Sequence, residues 1–141
     1  MFDKKFEERM LFWRRFREDL ETSRNPFQDV IEFYNRAPRT RLCADPWDQS
    51  TWPDPWELLN ENQYCEFGIV LGMCYSLQLT DRFKGSKFEI HISTNNEISE
   101  SYYLLYVDNN VLGLEYDTVV PKEDLPDALY SQRIYPMLAL Q

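Results

Sequence analysis

Apolar positions along the chain change their rhythm twice, and each change marks an element. Phe2, Phe6, Met10, Trp13, Phe16 and Leu20 recur at spacings of 4, 4, 3, 3 and 4, which predicts an amphipathic helix over residues 3–22. Glu7, Glu8, Arg14, Arg15, Glu18 and Glu21 fall on its opposite side. Asn25-Pro26 has the form of a helix start, with Asn as cap and Pro at the first helical position. Phe27, Val30, Ile31 and Tyr34 then predict a short second helix ending before Ala37-Pro38, because a residue preceding proline disfavours the helical region. Arg36, Arg39 and Arg41 make the following connector basic.

Residues 45–57 hold three tryptophans and three prolines, a composition that excludes a regular sheet strand. The indoles are expected to lie flat over the core, with a Trp-lined ligand groove as the functional alternative. Asp54-Pro55-Trp56-Glu57 has the spacing of a capping box opening a third helix. Residues 62–79 are apolar nearly all round, as in a buried central helix. Cys65, Gly68, Gly72 and Ser76 leave one of its faces almost bare, which is read as a surface for packing against a sheet. After Lys84-Gly85-Ser86 the period becomes two, predicting strands near 87–94, 101–108 and 111–118. Asp108-Asn109-Asn110 marks an antiparallel hairpin between the last two, since Asn tolerates the positive φ that a tight turn demands. Pro121, Pro126 and Pro136 punctuate a tail with a short helix near 122–130 and an edge strand near 132–139.

These elements predict one α+β domain, with a central buried helix packed on an antiparallel sheet of three to four strands. Residues 1–38 form an N-terminal helical arm, 54–120 the α+β core, and 121–141 a proline-containing tail. A length of 141 residues suits a single domain, and 43% hydrophobic content supplies a core. No apolar run reaches the roughly 18 residues that span a bilayer, and the charged start has no signal-peptide character, so a soluble protein is expected. The formal charge of −9 is uneven: residues 1–41 carry ten Lys/Arg against eight Asp/Glu, and residues 42–141 carry five against sixteen. An acidic body repels phosphate backbones, which disfavours nucleic acid as a partner.

Cys43, Cys65 and Cys74 lack CxxC spacing, and with His91 as the sole histidine no zinc site and no cofactor is expected. The thiols read as reduced. Glu115 and Asp117 share a strand face, as a solvated edge or a weak cation chelator. Cys65 stands in the first turn of the central helix, where the helix terminus favours a thiolate, and antiparallel strands follow. This order resembles the transglutaminase-like and papain-like cysteine enzymes over about residues 54–120. The resemblance implies Cys65 as nucleophile and Asp117, in Leu114-Glu115-Tyr116-Asp117-Thr118, as orienter. The family's histidine would open the strand beginning Ser101-Tyr102-Tyr103, where there is none; His91 lies one strand earlier. The triad therefore reads as degenerate, with Cys65 equally a small core residue, and no catalytic residue is favoured. The enzymatic alternative is a cysteine-dependent hydrolase or acyltransferase using Cys65, His91 and Asp117 or Asp108.

A second resemblance lies in Asp45-Pro-Trp-Asp, Thr51-Trp-Pro-Asp-Pro-Trp-Glu-Leu-Leu, Tyr64-Cys-Glu-Phe-Gly-Ile-Val-Leu-Gly-Met-Cys-Tyr-Ser-Leu-Gln-Leu, Phe88-Glu-Ile-His-Ile and Tyr103-Leu-Leu-Tyr-Val-Asp. Residues 45–108 are similar to small proteins of contractile-tailed marine bacteriophages that have no assigned activity. That similarity implies a structural or assembly protein of the neck, tail or baseplate, acting in the host cytoplasm during assembly or in the virion. Other protein subunits are its expected partners, contacted through Phe6, Trp13, Arg14, Phe16 and Arg17 of the first helix and through the tail. The aromatic stripe itself must be covered either by its own domain or by a partner.

Overall fold

The longest apolar segment becomes the axis of the domain. Helix α4 (Glu66–Gln78) is buried almost throughout, from Phe67 to Leu77. A computed structural model of the chain describes residues 1–114 and 118–140. Helices α1 (Phe6–Leu20), α2 (Pro26–Tyr34) and α3 (Pro55–Glu61) precede α4. Strands β1 (Phe88–Asn95), β2 (Glu100–Val107), β3 (Asn110–Leu112), β4 (Val120–Pro121) and β5 (Leu129–Met137) follow it. All strand pairs are antiparallel, in the order β4-β3-β2-β1-β5. The α+β architecture is thus as expected, with five strands among the described residues in place of three to four.

Local chemistry explains the boundaries. Asp54 and Glu57 form the reciprocal capping box: Glu57 N–H donates to Asp54 Oδ1 at 2.8 Å, and Asp54 N–H to Glu57 Oε1 at 3.3 Å. Asp108, at φ +52°, turns the chain between Val107 and Asn110, which face each other across the β2–β3 hairpin. Its Oδ1 accepts the Lys87 N–H at 2.9 Å, fastening the hairpin to the start of β1.

Three expectations change. β3 ends at Leu112 rather than 118, because Gly113 adopts φ +105° where an added Cβ would lie 2.6 Å from the Tyr103 carbonyl oxygen. The helix expected near 122–130 is a single 3-10 turn, Lys122–Asp124, after which Leu125 is extended, as a residue before Pro126 should be. The tail then runs as the full-length strand β5 along β1, with a bulge between Ile92 and Ser93. It is the edge strand expected near 132–139, begun three residues earlier.

The bare face of α4 is the fourth correction: it receives helices, not the sheet. A Cβ on Gly72 would come within 2.5 Å of Tyr34 Cε1 from α2, and one on Gly68 within 2.6 Å of Cys43 Sγ. Trp13 Nε1 of α1 donates to Ser76 Oγ at 2.9 Å. Flat rings can reach this backbone only because the side chains beneath them are small. Phe67, in contrast, stands edge-on to Tyr103 of β2 at 5.4 Å, so α4 is held between the N-terminal helices and the sheet.

Ser76 is the polar hinge of that packing. Its hydroxyl donates to the Gly72 carbonyl at 2.8 Å, and Tyr34 Oη lies 2.9 Å away. A serine hydroxyl has one proton and two acceptor sites. With the proton given to Gly72, both lone pairs remain for Trp13 N–H and Tyr34 O–H, so one buried oxygen joins α1, α2 and α4. Burial keeps the Tyr34 phenol protonated, with its pKa pushed up to about 12.

Arg9 is the other buried polar anchor. Its Nε and Nη2 donate to the Leu59 and Asn60 carbonyls at 3.0 Å, and Nη1 donates to the Lys4 carbonyl. A cation at the last turn of α3 satisfies carbonyls that have no helical partner and complements the helix dipole.

Candidate functional site

The N-terminus of α4 is built around two sulfurs. Cys65 is the N-cap residue, in extended conformation at φ −75° and ψ 175°, and its Sγ accepts the Gly68 N–H at 3.3 Å. Cys43, on the connector leading to the tryptophan segment, brings a second thiol to the same spot. The Cβ position above Gly68 lies 2.6 Å from Cys43 Sγ and 3.6 Å from Cys65 Sγ. Cys65 is buried, whereas Cys43 is partly exposed.

Their environments push the two thiols apart. The neighbouring Cys43 thiol holds the Cys65 pKa well below the ordinary thiol value; the nearby backbone N–H groups, first among them that of Gly68, add to this, against the opposing effect of burial. Cys43 moves the opposite way, because it keeps the shared proton and is partly desolvated. Cys74, deep in α4, is pushed up by burial.

His91 does not join them. Alternation along β1 sends Phe88 and Ile90 to the helix side, where they share a hydrophobic cluster with Cys65, Leu105, Val107 and Leu112. His91 points the other way, stacked on Tyr106 with ring centroids 3.7 Å apart, over the face occupied by Leu104 and Val111. Its Nδ1 meets Ser131 Oγ at 2.6 Å and its Nε2 meets Glu89 Oε1 at 3.3 Å. Burial lowers its pKa, opposed by Glu89. The sheet therefore stands between Cys65 and His91. A base must lie within hydrogen-bond reach of its nucleophile, or one water away, and this pair does not. Asp108 serves the hairpin, and Asp117 and Glu115 lie outside the described residues.

The residues expected to meet partners are also placed. Trp13 is only 2% exposed, bonded to Ser76 and capped by the Arg17 guanidinium 4.4 Å above its ring. Phe16 stacks on Phe33 at 3.9 Å, and Phe6 is half-buried beneath Arg9. Of the five, Arg14 alone is fully outward, paired with Glu18 at 3.3 Å. All of the stripe but Met10 is thus covered at least in part by its own domain. The aromatic side chains fill the groove left by the small face of α4, and sequence periodicity cannot say which surface a stripe will meet. What α1 leaves in solvent is Met10, Leu11 and Phe12, at 39%, 56% and 40% exposure. Trp56 stands edge-on to Trp13 at 5.5 Å, half-exposed, and Trp47 is half-exposed as well. Only Trp52, packed on Phe67 and Tyr135, lies over the core as the tryptophan segment was expected to.

A cavity of about 540 Å³ opens beside the first turns of α4, lined by Ile31, Arg39, Glu66, Met73, Tyr102 and Tyr103 among others. Among the described residues no cluster of three His, Cys, Asp or Glu side chains has a metal-binding arrangement, and no helix is long and apolar enough to cross a membrane.

No protein-family model matches the chain, and no curated protein does. The pairing of Cys43 with Cys65 had no signal in the sequence: 22 positions separate them and neither lies in a cysteine motif.

Proposed function

We propose that the chain is a non-catalytic structural or assembly protein acting through contacts with other protein subunits. As its similarity to small phage proteins implies, it would belong to the neck, tail or baseplate of a tailed-phage particle, built in the host cytoplasm. The observation that carries the non-catalytic part is the sheet lying between Cys65 and His91. Even as a thiolate, Cys65 has no imidazole within reach to protonate a leaving group, which the acyl chemistry of the cysteine enzymes it resembles requires.

The contact part rests on the apolar side chains that α1 leaves in solvent rather than on Trp13 and Phe16, which the domain covers. Three consecutive apolar residues, Met10, Leu11 and Phe12, are exposed on a helix whose other side is fixed by Trp13, Arg9 and Leu20. The three stand about 100° apart around the helix, with Leu11 facing outward between Met10 and Phe12, and an exposed aromatic ring on a fixed helix is the kind of group that anchors an interface. The test is light scattering on the purified chain mixed in turn with neck, tail and baseplate proteins of the same particle. The expected result is a complex that Met10→Glu/Phe12→Ser fails to form while keeping the wild-type circular dichroism spectrum. Absence of any complex, or a complex indifferent to these substitutions, would overturn this reading.

A further inference from the structure

The fold brings the two sulfurs at the start of α4 together over Gly68 from positions 22 residues apart in sequence. Gly68 keeps the space between them and the helix backbone open: any side chain there would collide with Cys43 Sγ at 2.6 Å. Cys65 Sγ accepts the Gly68 N–H at 3.3 Å at the start of α4. Cys43 Sγ lies beside it, 2.6 Å from the Gly68 Cβ position against 3.6 Å for Cys65 Sγ, and Cys43 is the partly exposed member of the pair. An electron-rich sulfur beside a second thiol is the arrangement in which the first can be oxidised and the second can resolve the product.

We propose that Cys65 and Cys43 form a peroxide-reactive dithiol that closes into an intrachain disulfide. The Cys65 sulfur attacks one oxygen of hydrogen peroxide, the O–O bond breaks, and the departing hydroxide takes a proton to leave as water. Cys65 is then a sulfenic acid. The Cys43 sulfur displaces its hydroxyl, an S–S bond forms, and a second water leaves with the Cys43 proton. Overall two thiols are oxidised by two electrons and one peroxide is reduced to two waters. Reduction by a small thiol restores the pair. The product ties the connector that carries the tryptophan segment to the N-terminus of α4, making this junction sensitive to the redox state around it. A disulfide of this kind is transient in a reducing compartment, as regulatory rather than structural disulfides are. Cys74, fully buried and alone within α4, has no such neighbour and stays a thiol.

The test treats the full chain with one equivalent of hydrogen peroxide, blocks free thiols with N-ethylmaleimide after unfolding, and reads intact and peptide masses. The expected product has lost two hydrogens, takes up a single maleimide on Cys74, and yields a linked peptide joining Cys43 to Cys65. Three maleimides, a linkage through Cys74, or a bond between chains would overturn the proposal. In Cys43→Ser the same oxidant should leave Cys65 as a sulfenic acid that dimedone traps. A Cys65 still in the thiol form there would refute its role as the attacking sulfur. The wild-type mass decides the matter on its own if that variant does not fold.

Discussion

Replacing Ser76 with alanine removes one oxygen, and the structure gives that oxygen three hydrogen bonds. Trp13 N–H and Tyr34 O–H both end on it, and both rings are 2% exposed, so neither donor can turn to water. Each buried donor left without an acceptor costs about 1–3 kcal/mol. Two of them cost about 2–6 kcal/mol, offset by about 0.5 kcal/mol from the better helix propensity of alanine. The expected net loss is about 2–5 kcal/mol, which in a domain of this size lowers the melting temperature by about 6–15 °C. The assay is urea unfolding followed by tryptophan fluorescence, with circular dichroism to check that the folded baseline is unchanged. A double-mutant cycle sharpens it. Tyr34→Phe deletes one of the stranded donors, so Ser76→Ala/Tyr34→Phe should cost about 1–2 kcal/mol less than the sum of the single changes. A Ser76→Ala loss below about 0.5 kcal/mol, or strict additivity in the cycle, would refute a shared buried oxygen joining α1, α2 and α4.

Other perturbations follow from the same packing. Gly72→Ala would set a methyl group 2.5 Å from the Tyr34 ring, which Phe2, Phe33 and Tyr64 surround; the expected loss of about 1–3 kcal/mol outweighs alanine's helix preference, whereas Gly85→Ala, with open space around it, should leave the urea midpoint unchanged. His91 is held neutral by burial, so the folded state binds its proton less readily than the unfolded chain. Its contribution is complete above the ordinary histidine value of 6.5 and is lost as pH falls from there toward the lowered folded value. His91→Gln should flatten stability against pH across that window, and an unchanged slope would contradict the neutral, stacked ring.

Much of the scaffold was legible because its signals are local. The Pro26 helix start, the Asp54/Glu57 capping box and the turn at residues 108–110 each act through a few neighbouring residues and stand where they were expected, although Asn25 makes no side-chain cap bond and Asp108 rather than an Asn takes the positive φ. Long-range facts left no such trace. The bare face of α4 announced close approach, but nothing in its spacing distinguished a sheet from the rings of Trp13 and Tyr34. Ser76 read as merely small, although its hydroxyl satisfies two other helices. β5 was half-hidden by Pro136, which suits an edge strand, and by Pro126, which shortened the expected helix to one turn. The candidate site was half legible. Cys65 stands at the helix start as its position implied, but its partner is Cys43, and His91 was already placed one strand away from where a catalytic base belongs. Tertiary contacts alone decide such pairings.

The most direct measurement is an ultraviolet titration of thiolate absorbance in the wild-type chain, in His91→Gln and in Cys43→Ala. The neighbouring Cys43 thiol favours the Cys65 thiolate, so removing it should move the Cys65 titration to higher pH, while His91→Gln should leave it in place. A curve that shifts with His91 and ignores Cys43 would mean that the imidazole governs the thiol across the sheet, contrary to the geometry on which the account rests.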